Sequence, residues 1–150
     1  MLKGINPLLN AEVLGVLRAM GHGDDLIVAD TNFPSDSIAR QTTHGTILRI
    51  DRSAPEVVEA VLSVFPIDTF VDDAAARMEV VGEPTTILPV MEEVQAKVDA
   101  SFGESLPLLP VERFDFYKRA KQAYAVIQTH ERRFYGCFAF RKGVIPPGET

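Results

Sequence analysis

The 150-residue chain reads as an α/β protein of one domain, residues 1–150. The expected fold is a layered sheet with helices packed on it, mostly parallel, with an antiparallel C-terminal hairpin. Three observations predict it. Short apolar runs such as Leu26-Ile27-Val28-Ala29 are bounded by polar, glycine-containing turns, as strands buried on both faces are. Segments with apolar residues at helical spacing lie between those runs, and such alternation favours helices covering a sheet. A chain of this length, 46% hydrophobic and 24% charged, can bury one core without disulfides or metals.

The elements follow in order. Leu14, Leu17, Arg18 and Met20 predict an amphipathic helix, with Asn10 as its N-cap and Gly21 as a left-handed residue closing it. The stretch Gly21 to Asp30, GHGDDLIVAD, then predicts a loop, a buried strand and a second loop. Thr31 to Arg40 is rich in turn formers and suits a pocket wall. Thr46 to Ile50 is a short β-prone run. Ser53-Ala54-Pro55-Glu56 has the spacing of a capping box before Val57, Val58, Val61 and Leu62. A strand is expected over Arg77 to Val81, a helix over Val90 to Ala100 and a loop from Ser101 to Pro110. A helix from Arg113 to Ala123 and a strand from Tyr124 to Gln128 come next. The last strand, Cys137 to Phe140, is joined to it through His130 to Gly136.

Several function classes are excluded by what the residues lack. The net charge of −6 and scattered basic residues oppose nucleic-acid binding. No apolar run approaches the length of a membrane span, so no membrane partner is expected. The start of the chain lacks the pattern of a secretory signal and the only cysteine is Cys137, which together place the protein in the cytoplasm. His22, His44 and His130 lie far apart and no ligand pair is present, so no metal is expected. Nucleotide-binding and serine-nucleophile signatures are missing, and Cys137 sits in an apolar run where burial makes a thiol inert.

Acid–base chemistry remains. His22 is framed by glycines, and histidine gives and takes protons near neutrality; equally, it suits a helix C-terminus. Asp30 ends an apolar strand, where ligands bind in open α/β sheets, or it caps the following loop. The two residues stand at opposite ends of about seven residues at roughly 3.3 Å each. A site using both needs a folded-back loop or a second subunit. Arg113 offers a fork of donors or an ordinary ion pair. Tyr135 offers a hydroxyl and a ring for stacking, or covers core at an edge. Asp24 and Asp25 are expected in turns or caps, and His44 and His130 in solvent.

Three segments, GHGDDLIVADTNFP, RFDFYKRAKQAYAVIQTHER and FYGCFAFRKGVIPPG, resemble the fucose mutarotase and ribose pyranase family, and its fucose mutarotase branch more closely. The resemblance covers nearly the whole chain, although Thr42 to Pro110 matches more in layout than in sequence. It implies an α/β fold assembled into a decamer of stacked rings. It also implies an isomerase that interconverts the anomers of L-fucose or a related pyranose without metal or cofactor. On the matching positions His22 is implied as the catalytic proton donor, and Asp30, Arg113, Tyr135, Gly136 and Cys137 as contacts to the sugar. Two departures stand out: Cys137 where the family usually has asparagine, and His130 where glycine is usual. The alternative from another class is a non-catalytic monosaccharide-binding accessory protein of a carbohydrate pathway.

Overall fold

The computed structural model describes residues 1–149. Helix α1, Ala11–Ala19, begins where the Asn10 side chain accepts the N–H of Val13. It ends on an extended Met20; the left-handed residue is Gly23 (φ 89°), not Gly21 as expected. Strand β1, Asp25–Ala29, follows, with four of its five residues fully buried or nearly so. Thr31 to Arg40 is not all turn, because Ser35–Ala39 forms the short helix α2. Its Ile38 and Ala39 bury an apolar stripe that composition alone concealed.

The capping box forms: Glu56 accepts from the N–H and hydroxyl of Ser53, starting α3, Ala54–Leu62. Before it lies the two-residue strand β2, Leu48–Arg49. Strand β3, Ala75–Met78, starts two residues earlier than predicted and ends sooner. Helix α4 covers Pro89–Phe102 and closes on a left-handed Gly103. The predicted loop from Ser101 to Pro110 runs into an unpredicted short strand β4, Leu109–Val111. Helix α5, Arg113–Lys121, strand β5, Ala125–Gln128, and strand β6, Phe138–Arg141, complete the chain.

The six strands form one mixed sheet in the order β2-β5-β1-β6-β3-β4. Parallel pairing joins β1 to β5, β2 to β5 and β3 to β4, whereas β6 runs antiparallel to both β1 and β3. The mostly parallel sheet with an antiparallel last strand is therefore as expected, but the C-terminal hairpin is not. Strand β1 separates β5 from β6, and β6 fills the centre of the sheet. The physical reason is burial: Phe138, Ala139 and Phe140 are inaccessible on both faces, which an edge strand could not provide.

Period-two alternation divides the core between two helical layers. Leu26, Val28, Ile127, Phe138 and Phe140 face one cluster with α1, α3 and α4. Ile27, Ala29, Val126, Cys137 and Ala139 face the other with α2 and α5. Among the described residues no helix is long and apolar enough to cross a membrane.

Candidate active site

At the carboxyl end of β1 the chain turns on Asp30, which is 4% exposed. Its Oδ1 accepts the backbone N–H groups of Asn32 and Phe33, both at 2.9 Å, and its Oδ2 accepts that of Gly136 at 3.1 Å. Asp30 thus caps the loop and also lines a cavity. Three N–H donors hold the carboxylate in place before any ligand arrives.

Gly136 must be glycine for a contact reason. A Cβ there would lie 2.7 Å from Glu131 Cγ and 3.3 Å from Asp30 Cβ. Tyr135 beside it adopts a left-handed backbone, φ 61°, and its hydroxyl oxygen accepts the N–H of Val81 at 3.3 Å. Such a conformation costs an L residue about 1–2 kcal/mol and persists only where the surroundings impose it. Cys137 is buried at the base of the same segment, and burial together with the nearby Asp30 pushes its thiol pKa well up. Arg113 opens α5; its Nε donates to the Tyr117 hydroxyl at 3.1 Å and its guanidinium lies 5.4 Å from the ring centres of Phe114 and Tyr117. The bond to Tyr117 raises the already high Arg113 pKa, so the cation is permanent.

These groups surround one cavity of about 260 Å³. Asp30, Asn32 and Arg113 give it polar groups, and Phe33, Met78, Phe134 and Cys137 give it apolar surface, with Tyr117 and Tyr135 contributing both. Its size lies at the lower edge of small-molecule sites, which begin at roughly 300 Å³, and suits a single small polar ring with an apolar side. Asp30, Arg113 and the segment carrying Tyr135 and Cys137 are thus brought together from three distant parts of the chain, with Gly136 behind them.

His22 is elsewhere. It stands in the turn before β1, at the amino end of the strand, with all five residues of β1, a length on the order of 17 Å, between it and Asp30. There its Nε2 lies 3.2 Å from Oδ1 of the buried Asp68, and its ring meets Phe70 edge-on at 5.4 Å between centres. The same Asp68 oxygen accepts the Phe70 N–H at 3.0 Å. That backbone donor, and after it His22, lowers the Asp68 pKa. The loop is braced by Lys142, whose Nζ donates to the Leu17 and Met20 carbonyls at 2.7 and 2.6 Å and whose carbonyl accepts the Gly23 N–H at 2.9 Å. No folded-back loop carries His22 to the cavity.

Asp25 is not the turn residue expected. It accepts paired bonds from both Arg119 and Arg141 at 3.0–3.1 Å, an ion cluster that Asp73 extends. His130 is exposed as expected, whereas His44 is only partly so, with its Nε2 3.8 Å from Glu12. Met78, Phe134 and Asp68 escaped the sequence reading. Met78 passes for core, and Asp68 lies in an aperiodic stretch with no local motif; only its proximity to His22 marks it. Among the described residues no cluster of histidine, cysteine and carboxylate side chains is arranged to hold a metal ion.

The model of the RbsD / FucU transport protein family matches residues 3–145. The chain belongs to this family. It is 42% identical over 156 residues to a fucose mutarotase of Danio rerio, covering 99% of this chain and 97% of that relative. The crystal structure of a putative sugar binding protein superimposes with a TM-score of 0.95 at 58% identity, over 97% of each chain. The fucose mutarotase of Streptococcus pneumoniae in complex with L-fucose gives a TM-score of 0.85 at 31% identity, covering 97% of this chain and 100% of that one. The fold of the RbsD/FucU member described here therefore has a full-length counterpart in a protein that carries the fucose mutarotase name.

Proposed function

We propose that the protein is a monosaccharide mutarotase, an isomerase that interconverts the α and β anomers of L-fucose or a related pyranose. The observation that carries this reading is the cavity at Asp30, which combines a backbone-held carboxylate, a permanent cation and an apolar wall. It is supported by full-length likeness to fucose mutarotases, one of them with L-fucose bound. In this reading Asp30, Arg113 and the Tyr135-Gly136-Cys137 segment bind the sugar.

Mutarotation removes a proton from the anomeric hydroxyl and delivers one to the ring oxygen, so the ring opens. The aldehyde face turns, and reversal of both transfers closes the ring as the other anomer. Reactant and product differ at one stereocentre, so the reaction calls for acid–base groups alone. His22 is the proton donor in this scheme. Asp68 engages Nε2, which leaves Nδ1 to exchange protons with the sugar.

His22 and Asp30 of one chain are too far apart to serve one sugar, so the histidine comes from a neighbouring copy. The assembly is a homo-oligomer, for which the family resemblance implies a decamer. Exposed Phe70 and Val71 beside His22, and exposed Phe114 and Phe134 beside the cavity, give each half-site the apolar rim that such a contact would bury. A cytoplasmic location is part of the proposal.

The test is saturation-transfer NMR on the anomeric protons of L-fucose and D-ribose. Accelerated exchange is expected with the wild-type protein, with a large fall in rate and retained sugar affinity in His22→Ala. Sugar binding with no acceleration would favour the accessory, non-catalytic reading, which the 58% identical putative sugar binding protein keeps in view.

A further inference from the structure

Glu131 is a carboxylate that the reaction does not use and that the fold keeps nearly out of water, with a side chain 5% exposed. Its Oε1 accepts the Arg133 backbone N–H at 3.0 Å and Nε at 2.9 Å. Its Oε2 accepts Arg133 Nη2 at 3.0 Å and the N–H of Ala54, in the first turn of α3, at 3.2 Å. Four donors offset the cost of burying that charge. Arg133 then reaches Glu93 on α4 at 2.7 Å. One buried carboxylate thereby ties the loop between β5 and β6 to two helices of the opposite layer.

The same residue supports both walls of the cavity from behind. Its carbonyl oxygen accepts the N–H of Thr31, next to Asp30, at 2.9 Å. Its Cγ lies only 2.7 Å from where a Cβ on Gly136 would fall, so the segment carrying Tyr135 is seated directly on the Glu131 side chain. From that seat the Gly136 N–H reaches Asp30, and Tyr135 holds its left-handed backbone.

We propose that Glu131 is a positioning residue for the sugar site, setting the distance between Asp30 and the Tyr135-Gly136-Cys137 segment without touching the sugar itself. The proposal rests on the assignment of that segment and Asp30 to sugar binding. Displacement of binding groups by about 1 Å through a mutation away from the chemistry lowers turnover efficiency by up to a hundredfold.

The first variant is Glu131→Gln, which keeps the contact with Gly136 but sets an amide NH₂ against the donors of Arg133 or Ala54. The second is Arg133→Ala, which removes two of the four donors while leaving the cavity lining intact. Rates of L-fucose anomer exchange against sugar concentration are expected to give a KM raised on the order of tenfold to a hundredfold in both. The pH profile of kcat should not move. If Glu131→Gln does not fold by circular dichroism, Arg133→Ala carries the test. An unchanged KM in the folded variants, or a changed kcat pH profile at constant KM, overturns the proposal. Asp30→Asn is run alongside. Wild-type sugar binding in that variant would overturn the site assignment, whereas lost binding there with wild-type KM in Glu131→Gln overturns the positioning role alone.

Discussion

Gly143 presses against the backbone of Asp68: a Cβ on the glycine would lie 2.8 Å from Asp68 Cα and 2.7 Å from the Ile67 carbonyl oxygen. Backbone atoms cannot step aside as a side chain tip does, so this contact sets where the carboxylate facing His22 stands. Gly143→Ala is expected to cost about 1–3 kcal/mol of stability by overpacking and to slow anomer exchange by moving Asp68. Thermal melting and exchange NMR on the same sample check both. A destabilised variant with wild-type exchange would show that the pair does not depend on this contact.

Asp68 holds one nitrogen of His22, so its loss should affect proton transfer more than binding. Asp68→Asn is expected to lower the exchange rate at saturating L-fucose on the order of tenfold or more, with affinity retained. Titration calorimetry beside exchange rates measures the two separately. Equal loss of both would assign Asp68 to the fold.

The separation of His22 from Asp30 predicts complementation. His22→Ala and Asp30→Asn are each expected to be inactive, yet mixed oligomers reassembled from the two should recover part of the wild-type rate. In such mixtures some sites receive an intact histidine from one copy and an intact carboxylate from the other. Sedimentation should show assemblies larger than a monomer at micromolar concentration. A monomer, or mixtures with no recovered rate, would refute the shared site.

Cys137 belongs both to the core cluster under α2 and α5 and to the cavity lining. Cys137→Asn is therefore expected to shift the ratio of L-fucose to D-ribose affinity by about 1 kcal/mol, the net value of one neutral hydrogen bond. A falling melting temperature at constant sugar preference would instead place the side chain in the core alone, leaving an unsatisfied amide.

Glu131 gives a pH prediction with a definite sign. The Arg133 side chain, in spite of burial, lowers its pKa in the folded state, so folded protein binds this proton less readily than unfolded chain. The stabilisation is present above the unfolded value of about 4.3 and is lost as pH falls through the lower folded value. Glu131→Gln should be less stable than wild type at neutral pH. That difference should shrink below pH ~4, as followed by urea unfolding across the acid range.

Local chemistry made much of the fold legible in the sequence. The Asn10 cap, the Ser53–Glu56 box and the apolar run Leu26 to Ala29 depend on neighbours within a few residues, and each forms as read. His22, Asp30, Arg113 and Tyr135 could be singled out because glycine frames, strand ends and aromatic neighbours are sequence features, whereas Gly136 and Cys137 entered only through the family resemblance. The resemblance added roles for them that spacing alone does not supply.

Tertiary structure decided which of these residues meet. Strand pairing is a long-range choice: the adjacent segments β5 and β6 read as a hairpin, but burial of Phe138 to Phe140 on both faces drives β6 between β1 and β3. That insertion carries Gly136 to Asp30 at one end of the central strands and Lys142 and Gly143 to the His22 loop at the other. Asp25 and Asp68 likewise acquire their partners only across the fold, from Arg119, Arg141 and His22. A charged residue in a turn-like sequence carries no sign of the distant group that will face it. Residue types and periodicity therefore determined most of the elements, though not α2 or β4, and the candidate chemistry. The positions of His22 and of the Asp30 cavity, at opposite ends of the central strands, followed from how the strands packed.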